Sequence, residues 1–400
     1  MAEYGLKRYF NGECAHRITN LLQNQLPDLD GEEFAAAVNS RIQGLELKDR
    51  VMVIAEELRR RLPDHYVTAV GVLVDSLGDE LREDQGMFTE SWFLMPVARY
   101  VEEYGIEYPH ESLDAIEEIT KRHTGEYAIR PYLRQWQELT MARVDRWSRS
   151  SSHNVRRLAS EGIRPRLPWA SRFKPFVDDP EPVVQVIDRL IDDPSLYVRT
   201  SVANNLNDIS KDHPRYAVST AARWLASSDN SSRTQWIVTK GLRTLIKKGD
   251  PAALKVVEAE PDPYVSVQEI DVEPLRPAIG ERAEIRVIVA NKGTVARDVI
   301  VDYQIHFRRS DGTLRPTTFK PGARNCPSRR YGARAQVSRV QERQDAYAPS
   351  RAARTCCSGE WQSEPAHRVR PSRGKRRMSA RYLFGGTAGS LMQHSDAQAC

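Results

Sequence analysis

The stretch SSHNVRRLASEGIRPRLPWA, residues 151–170, begins as a buried helix and ends as a basic loop with a large aromatic residue. Ser152 or Asn154 can cap the helix, and Gly162 followed by Pro165 ends it. Between these ends an apolar stripe recurs at helical spacing, formed by Val155, Leu158 and Ala159. Glu161 lies in the last turn, at the negative end of the helix dipole, where a carboxylate does not stabilise a helix. This unfavourable position makes Glu161 a candidate for chemistry.

Positive charge is concentrated around this stretch. Residues 143–174 contain nine basic and two acidic residues, whereas residues 1–320 as a whole contain 44 basic and 49 acidic residues. The chain has a formal charge of +5 because residues 321–400 carry +10 and the rest carries −5. A basic run is usually a solvated face, but a concentration of Arg inside an acidic region favours a polyanionic partner.

Helical periodicity extends from Tyr4 to about Glu258, where apolar residues recur at three- and four-residue steps. One such stripe is Phe34, Ala35, Val38, Ile42 and Leu45. Helix-breaking residues divide this region into helices of roughly 10–18 residues, and they are Pro27, Pro63, Gly78, Gly105 and Pro109. The sequence therefore predicts an all-α body.

The later helices repeat. The segment DPSLYVRTSVANNLNDISKDHP, residues 193–214, resembles SSHNVRRLASEG, with Val198 matching Val155 and Arg199 matching Arg156 at a spacing of 43 residues. The segment SSRTQWIVTKGLRTLIKKGDP matches again if Leu242 pairs with Leu206, at a spacing of 36 residues. A helix-turn-helix unit with a period of roughly 40 residues is typical of HEAT repeats, which stack into a solenoid with a concave inner surface.

At Pro261 the pattern changes to alternating apolar and polar residues, in VSVQEIDVEP, ERAEIRVIVANKG and ARDVIVDYQIHFRR. Three or four such strands predict the first half of an immunoglobulin-like sandwich. Residues 321–400 show no sustained period and contain few branched aliphatic residues. They are interpreted either as a basic, disordered tail or as a translation in a shifted reading frame. The predicted regions are a helical domain at 1–260, a partial immunoglobulin-like β domain at 261–320 and a low-order tail at 321–400.

The sequence lacks the motifs of several classes of enzyme chemistry. The sequence contains no HExxH, paired CxxC, P-loop, strand-linked GxGxxG or GxSxG, so neither a metal nor a cofactor is predicted. A run of about 18 apolar residues and an apolar signal segment are also absent, which predicts a cytoplasmic protein without a membrane span. The cysteines, Cys14 and four near the end of the chain, do not indicate a disulfide framework.

Three carboxylates and one aromatic residue remain as candidates, and each has a structural alternative. Glu126, in TGEYAIRPYL, could cap a helix, and Asp208, in NNLNDIS, could be a solvated residue near a helix end. Glu161 could form a surface ion pair with Arg157, and Trp169 could be part of the core. Trp147, Trp224 and Trp236 are predicted to serve packing. Composition and spacing predict an all-α repeat protein with a basic concave face. They do not predict an activity.

The stretch VRRLASEGIRPRLPWA, together with TGEYAIRPYL and residues 193–214, resembles the AlkC group of bacterial DNA alkylation-repair glycosylases, relatives of the AlkD group. The resemblance implies a HEAT-like solenoid that holds duplex DNA in its concave face, followed in one subgroup by an immunoglobulin-like domain that contacts DNA. It also implies catalytic acids at Glu126, Glu161 and Asp208, and a lesion-contacting tryptophan at Trp169. The truncation of the sandwich pattern at Lys320 departs from that subgroup.

The predicted function is a monomeric DNA N-glycosylase that needs no cofactor and acts on cationic N-alkylated bases in duplex DNA. Expected substrates are 3-methyladenine and 3-methylcytosine. The residues expected to bind DNA are Arg156, Arg157, Arg164, Arg166, Arg172, Lys174 and Arg199. The alternative is a noncatalytic HEAT-repeat scaffold that binds nucleic acid or an acidic protein.

Overall fold

The computed structural model describes residues 5–81 and 90–257 and, beyond them, residues 264–273, 283–294, 297–308, 313–319, 323–326, 335–340, 360–361, 375–376, 378–384 and 397–399. Two compact units are present, Met1–Thr244 and Leu245–Cys400. The predicted division at 260 and 320 stays a prediction. Much of the predicted tail lies outside the described residues.

The first unit is helical throughout its described residues, which confirms the predicted all-α body. Fourteen helices lie entirely within its described residues: α1 Gly12–Leu22, α2 Gly31–Arg41, α3 Leu47–Arg59, α4 Tyr66–Asp75, α5 Met95–Tyr104, α6 Pro109–Thr120, α7 Ile129–Gln135, α8 Gln137–Trp147, α9 His153–Glu161, α10 Lys174–Asp178, α11 Glu181–Ile187, α12 Leu196–Asp212, α13 Pro214–Ser227 and α14 Ser232–Gly241. Short 3₁₀ turns lie at Leu6–Tyr9, Trp92–Leu94 and Asp188–Leu190. A further helix, α15 Arg243–Lys248, crosses the boundary, and α16 Pro251–Val256 follows it. No described helix is long and apolar enough to cross a membrane.

The apolar stripes read from the sequence form the core of this unit. Phe34 and Val38 of α2 and Ile42 just after it are buried, and so are Val155, Leu158 and Ala159 of α9. Helix α9 packs against α12, the helix that carries the next repeat. Gly162, directly after α9, allows close packing at this end, since a Cβ there would lie 2.9 Å from Cγ2 of Ile129. Helical spacing therefore identified the buried faces correctly.

The predicted repeat has a polar counterpart in the structure. In α3, α9, α12 and α14, the side chain of the fourth helical residue donates a hydrogen bond to the carbonyl oxygen five residues earlier. The four pairs are Arg50 to Leu45 at 2.9 Å, Arg156 to Ser151 at 2.9 Å, Arg199 to Pro194 at 2.8 Å and Gln235 to Asn230 at 2.8 Å. We call this contact the repeat-start bond. It places Arg156, Arg199 and Gln235 at spacings of 43 and 36 residues, as the two sequence alignments predict.

The second unit contains β-strands after α16, and apart from β7 and β8 their described pairings are antiparallel. They are β1 Val265–Glu273, β2 Ala283–Asn291, β3 Arg297–Arg308, β4 Leu314–Phe319, β5 Ala323–Cys326, β6 Ala335–Val340, β7 Glu360–Trp361, β8 Lys375–Arg376, β9 Met378–Phe384 and β10 Ala397–Ala399. One sheet has the order β1-β2-β6, and another has the order β10-β9-β3-β4 with β5 also paired to β3; β7 and β8 form a short parallel pair.

The structure contains strands beyond Lys320, where the sequence shows no sustained period. Val337 of β6 pairs with Ile285 of β2, and Leu383 of β9 pairs with Ile300 of β3. These strands are at most seven residues long and are separated by long Arg- and Ser-rich segments. Their alternation is too brief to stand out in a sequence window.

Candidate active site

Three buried carboxylates, those of Glu126, Glu161 and Asp208, are joined by two guanidinium groups. Arg157 pairs with both Glu126 and Glu161, and Arg164 pairs with both Glu161 and Asp208. The structure therefore brings together all three acids that the sequence analysis selected. We call these five side chains the acid–arginine network.

Glu161 is at the centre of the network and is the last residue of α9, as the sequence predicts. Its Oε1 accepts a hydrogen bond from Nη1 of Arg164 at 2.7 Å and lies 3.5 Å from Nη2 of Arg157. Its Oε2 accepts a hydrogen bond from Oγ of Ser201, in α12, at 2.6 Å. Both carboxylate oxygens are therefore engaged by positive or polar groups.

The ionisation of Glu161 follows from these contacts. Burial by itself would raise the pKa of the Glu161 carboxyl, but the charges of Arg157 and Arg164 and the hydrogen bond from Ser201 outweigh burial and hold this pKa below its ordinary value. Burial would likewise lower the pKa of Arg157 and of Arg164, but the neighbouring carboxylates raise both. The site thus holds Glu161 as a buried, ionised carboxylate between two guanidinium groups.

Glu126 lies in the turn before α7. Its Oε2 accepts hydrogen bonds from Arg157 and, at 2.9 Å, from Oγ1 of Thr124. Among the described residues, its Oε1 accepts no hydrogen bond. The alternative that Glu126 caps a helix is wrong, because Ala128 holds the N-cap position of α7 and no side chain caps it.

Asp208 is in the last third of α12 and is 1% exposed, so the alternative of a solvated residue is wrong. Its Oδ2 accepts hydrogen bonds from Nε of Arg164 at 2.9 Å and pairs with Nη2 of the same residue at 2.8 Å, while Oδ1 pairs with Nζ of Lys211 at 2.8 Å. The surface-pair alternative for Glu161 and Arg157 also fails, because both side chains are buried. Both carboxylates are therefore buried and paired with basic side chains.

Trp169 is 59% exposed, so the alternative of a core tryptophan is wrong, whereas Trp147 and Trp224 are buried as predicted and Trp236 is partly buried. The backbone of Trp169 has a φ of 61°, in the left-handed region that non-glycine residues adopt at a cost of about 1 kcal/mol or more. Two side chains hold the backbone there. Lys48 donates to the carbonyl oxygen of Trp169, and Oη of Tyr127 donates to that of Pro168 at 3.3 Å.

Arg130 was missed by the sequence analysis, although it is in the quoted segment TGEYAIRPYL. It is 2% exposed, and its Nη1 donates to the carbonyl oxygens of Gly162 at 3.2 Å and Arg164 at 2.9 Å, while Nη2 donates to that of Ser171 at 3.0 Å. Burial and the nearby charge of Arg134 lower the pKa of Arg130 to about 10. A signal was present, because a basic residue in the first turn of α7 opposes the helix dipole as Glu161 does at the end of α9.

The basic cluster at residues 143–174 is neutralised in space. Eight of its nine basic side chains pair with a carboxylate, and most of these carboxylates lie outside residues 143–174. Arg172 is exposed and is the member without a salt bridge among the described residues. A charge count along the sequence therefore overestimates the local positive charge.

The predicted DNA-binding residues fall into two groups by exposure. Arg156, Arg157 and Arg164 are largely buried and paired with acids, and Arg199 donates to the carbonyl oxygens of Asp193 and Pro194. Arg166 pairs with Asp212 and is partly exposed, while Arg172 and Lys174 are exposed. Their contact with DNA stays a prediction.

Comparisons with known proteins identify relatives of the chain and of its fold. A family described as "Uncharacterised protein YhaZ, C-terminal Ig-like domain" matches residues 266–346, a range that continues past Lys320. The uncharacterised protein YhaZ of Bacillus subtilis (strain 168) is 35% identical over 318 residues, which are 79% of this chain and 85% of that protein. The Pseudomonas fluorescens alkylpurine DNA glycosylase AlkC, solved bound to DNA containing an abasic site analog, shares 28% identity and a TM-score of 0.75 over 95% of this chain and 96% of its own. The chain therefore belongs to the family of YhaZ and, with its HEAT-like fold, to the AlkC family of alkylpurine DNA glycosylases.

Proposed function

We propose that this protein is a DNA N-glycosylase that hydrolyses the N-glycosidic bond of cationic alkylated bases, such as 3-methyladenine and 3-methylcytosine, in duplex DNA. The acid–arginine network is the observation that carries the proposal, since it gathers three buried carboxylates around two guanidinium groups, and the exposed Trp169 follows Glu161 closely in the chain. Membership of the AlkC family supports it, as does the DNA bound to the related AlkC structure.

The chemistry suits a site without a strong general acid. A base alkylated at a ring nitrogen is already cationic, so it leaves without protonation, and the barrier lies in the positive charge that develops on the sugar. Fixed carboxylates stabilise such an oxocarbenium-like transition state electrostatically. Glu161 is assigned this role because its two engaged oxygens keep it ionised and immobile.

We assign Glu126 the role of orienting the attacking water and accepting its proton. Hydrolysis needs an acceptor that orients a water molecule and receives its proton. Within the described part of the chain, Glu126 is the network acid with an oxygen that accepts no hydrogen bond, since both oxygens of Glu161 and of Asp208 are occupied. Asp208 is then a positioning residue that fixes Arg164.

We assign Trp169 the role of contacting the alkylated nucleotide. Its exposed ring can attract a cationic base or sugar through the negative π face. Phosphate contacts are assigned first to the exposed Arg172 and Lys174, because their charges are accessible to solvent. Arg157 and Arg164 are assigned instead to holding the acids.

The test is base release from duplex DNA that carries 3-methyladenine. Glu161→Gln keeps the shape of the side chain and removes its charge, so we expect release to slow by about a hundredfold or more while DNA binding is retained. Glu138→Gln, at an exposed position in α8, is the matched control and should release base at the wild-type rate. Binding without release by the wild-type protein would overturn the proposal in favour of a noncatalytic scaffold.

A further inference from the structure

A cavity of about 440 Å³ lies beside the loop that carries Trp169. Its walls come from the start of α3, from α5, from the segment before α7, from α7 itself and from residues 169–171. None of the five side chains of the acid–arginine network lines it. The cavity is therefore separate from the proposed catalytic acids, although Trp169 borders it.

Much of the lining of this cavity is apolar and aromatic. Its apolar lining is formed by Leu47, Val51, Met52, Met95, Ala98 and Ala128, and the rings of Tyr127 and Trp169 complete the wall. Methionine adapts its shape to flat ligands, and aromatic rings stack on nucleobases. The volume falls within the roughly 300–1,000 Å³ typical of small-ligand sites.

The cavity lining also carries an excess of positive charge. Four basic residues line the cavity against two acidic ones, and Arg99 pairs with acidic residues of its own helix at 2.7 and 2.8 Å. Lys48 and Arg134 are exposed, and Lys48 Nζ lies 6.0 Å from the centre of the Tyr127 ring. A cationic alkylated base would be repelled here, whereas an anion would be attracted.

Arg130 strengthens this preference for an anion. It is buried, lines the cavity and forms no salt bridge among the described residues, and its Nε has no hydrogen-bond partner there. Its other nitrogens bond to backbone carbonyls, which do not neutralise the charge. A buried guanidinium without a carboxylate is costly unless an anion approaches it.

We propose that this cavity binds one nucleotide, with its base against Met52, Met95 and Tyr127 and its phosphate towards Lys48, Arg130 and Arg134. The nucleotide is either a free mononucleotide or one residue of a DNA strand, and the two sources have the same chemistry. The site does not depend on base excision, so it goes beyond the proposed function.

The first arm of the test is calorimetric titration of the full chain with deoxyadenosine monophosphate and, separately, with deoxyadenosine. The second arm uses a duplex with an abasic site analogue next to 2-aminopurine, whose fluorescence rises when it leaves the base stack. The variant is Lys48→Met with Arg134→Gln, two exposed side chains whose loss leaves the core intact. Lys240→Met, an exposed lysine of α14, is the matched control.

We expect the phosphate-bearing ligand to bind at least about tenfold more tightly than the nucleoside, or the 2-aminopurine signal to rise on binding, and the double variant to abolish either effect. Titration alone would assign a free mononucleotide, and fluorescence alone would assign a strand nucleotide. An absence of both effects, or their persistence in the double variant, would overturn the proposal. Absent base release would overturn the proposed function and leave these two readouts unaffected.

Discussion

Arg164 links two of the three acids, and its removal tests the acid–arginine network directly. It makes three charge-assisted contacts, to Glu161 at 2.7 Å and to Asp208 at 2.9 and 2.8 Å. At about 1.5 kcal/mol each, their loss amounts to roughly 4 kcal/mol, within the roughly 3–5 kcal/mol expected when one partner of a buried ion pair is removed. Arg164→Met keeps an unbranched apolar stem but removes the guanidinium group, and it should therefore lower the free energy of unfolding by about 4 kcal/mol.

The loss of stability in Arg164→Met should depend on pH because the pKa of Glu161 is lowered in the folded protein. A carboxyl whose pKa is lower in the folded state stabilises the fold above its unfolded pKa, and this stabilisation is lost as the pH falls through the folded pKa. Removing Arg164 raises the pKa of Glu161 towards its ordinary value. The difference in stability between wild type and Arg164→Met should therefore be largest near about pH 7 and shrink towards about pH 4.

The assay is urea unfolding followed by far-UV circular dichroism at both pH values. Arg166→Met is the matched control, because the pair between Arg166 and Asp212 is partly exposed and should contribute only about 0–1 kcal/mol. A loss below about 1 kcal/mol for Arg164→Met, or a loss equal at both pH values, would refute the assignment of Arg164 to the acids.

Three further predictions use other parts of the helical unit. Trp169→Ala should slow base release by about tenfold and change the unfolding free energy by less than about 0.5 kcal/mol, since the ring is largely exposed; a large loss of stability in denaturant would contradict this. Lys174→Met should lower the salt slope of DNA binding, measured by fluorescence anisotropy, by about 1, whereas Arg199→Gln should destabilise the fold and leave that slope unchanged; the reverse pattern would reassign phosphate contact to Arg199. Arg130→Met should make the loop at residues 165–171 sensitive to limited proteolysis before the rest of the unit, and uniform resistance would show that other contacts hold the loop.

Helix positions and buried faces were predictable because they depend on local spacing. The stripe at Val155 and Leu158 needed only helical periodicity, and the break at Gly162 needed only residue type. The spacing of 43 residues between Arg156 and Arg199 was also visible in the sequence, although its physical meaning, the repeat-start bond, required coordinates.

The electrostatics of the site was not predictable in the same way. Arg157 pairs with an acid 31 residues earlier and Arg164 with one 44 residues later, so no window around the basic cluster contains both partners. The three acids were candidates from their places near helix ends and near the basic cluster, and the family resemblance implied their catalytic role. Exposure of Trp169 depended on a left-handed backbone that a tryptophan seldom adopts.

The repeat-start bond has a consequence for the order of folding. Its donor and acceptor are five residues apart, so an isolated repeat can form the bond before any neighbour docks, and such local contacts form quickly. The acid–arginine network, in contrast, needs the segment before α7, the end of α9 with the residues just after it, and the last third of α12 to be docked together. We therefore expect each repeat to acquire its shape early and the three carboxylates to meet only in the last docking steps, so that a partly folded chain would be helical but unable to stabilise charge on a sugar.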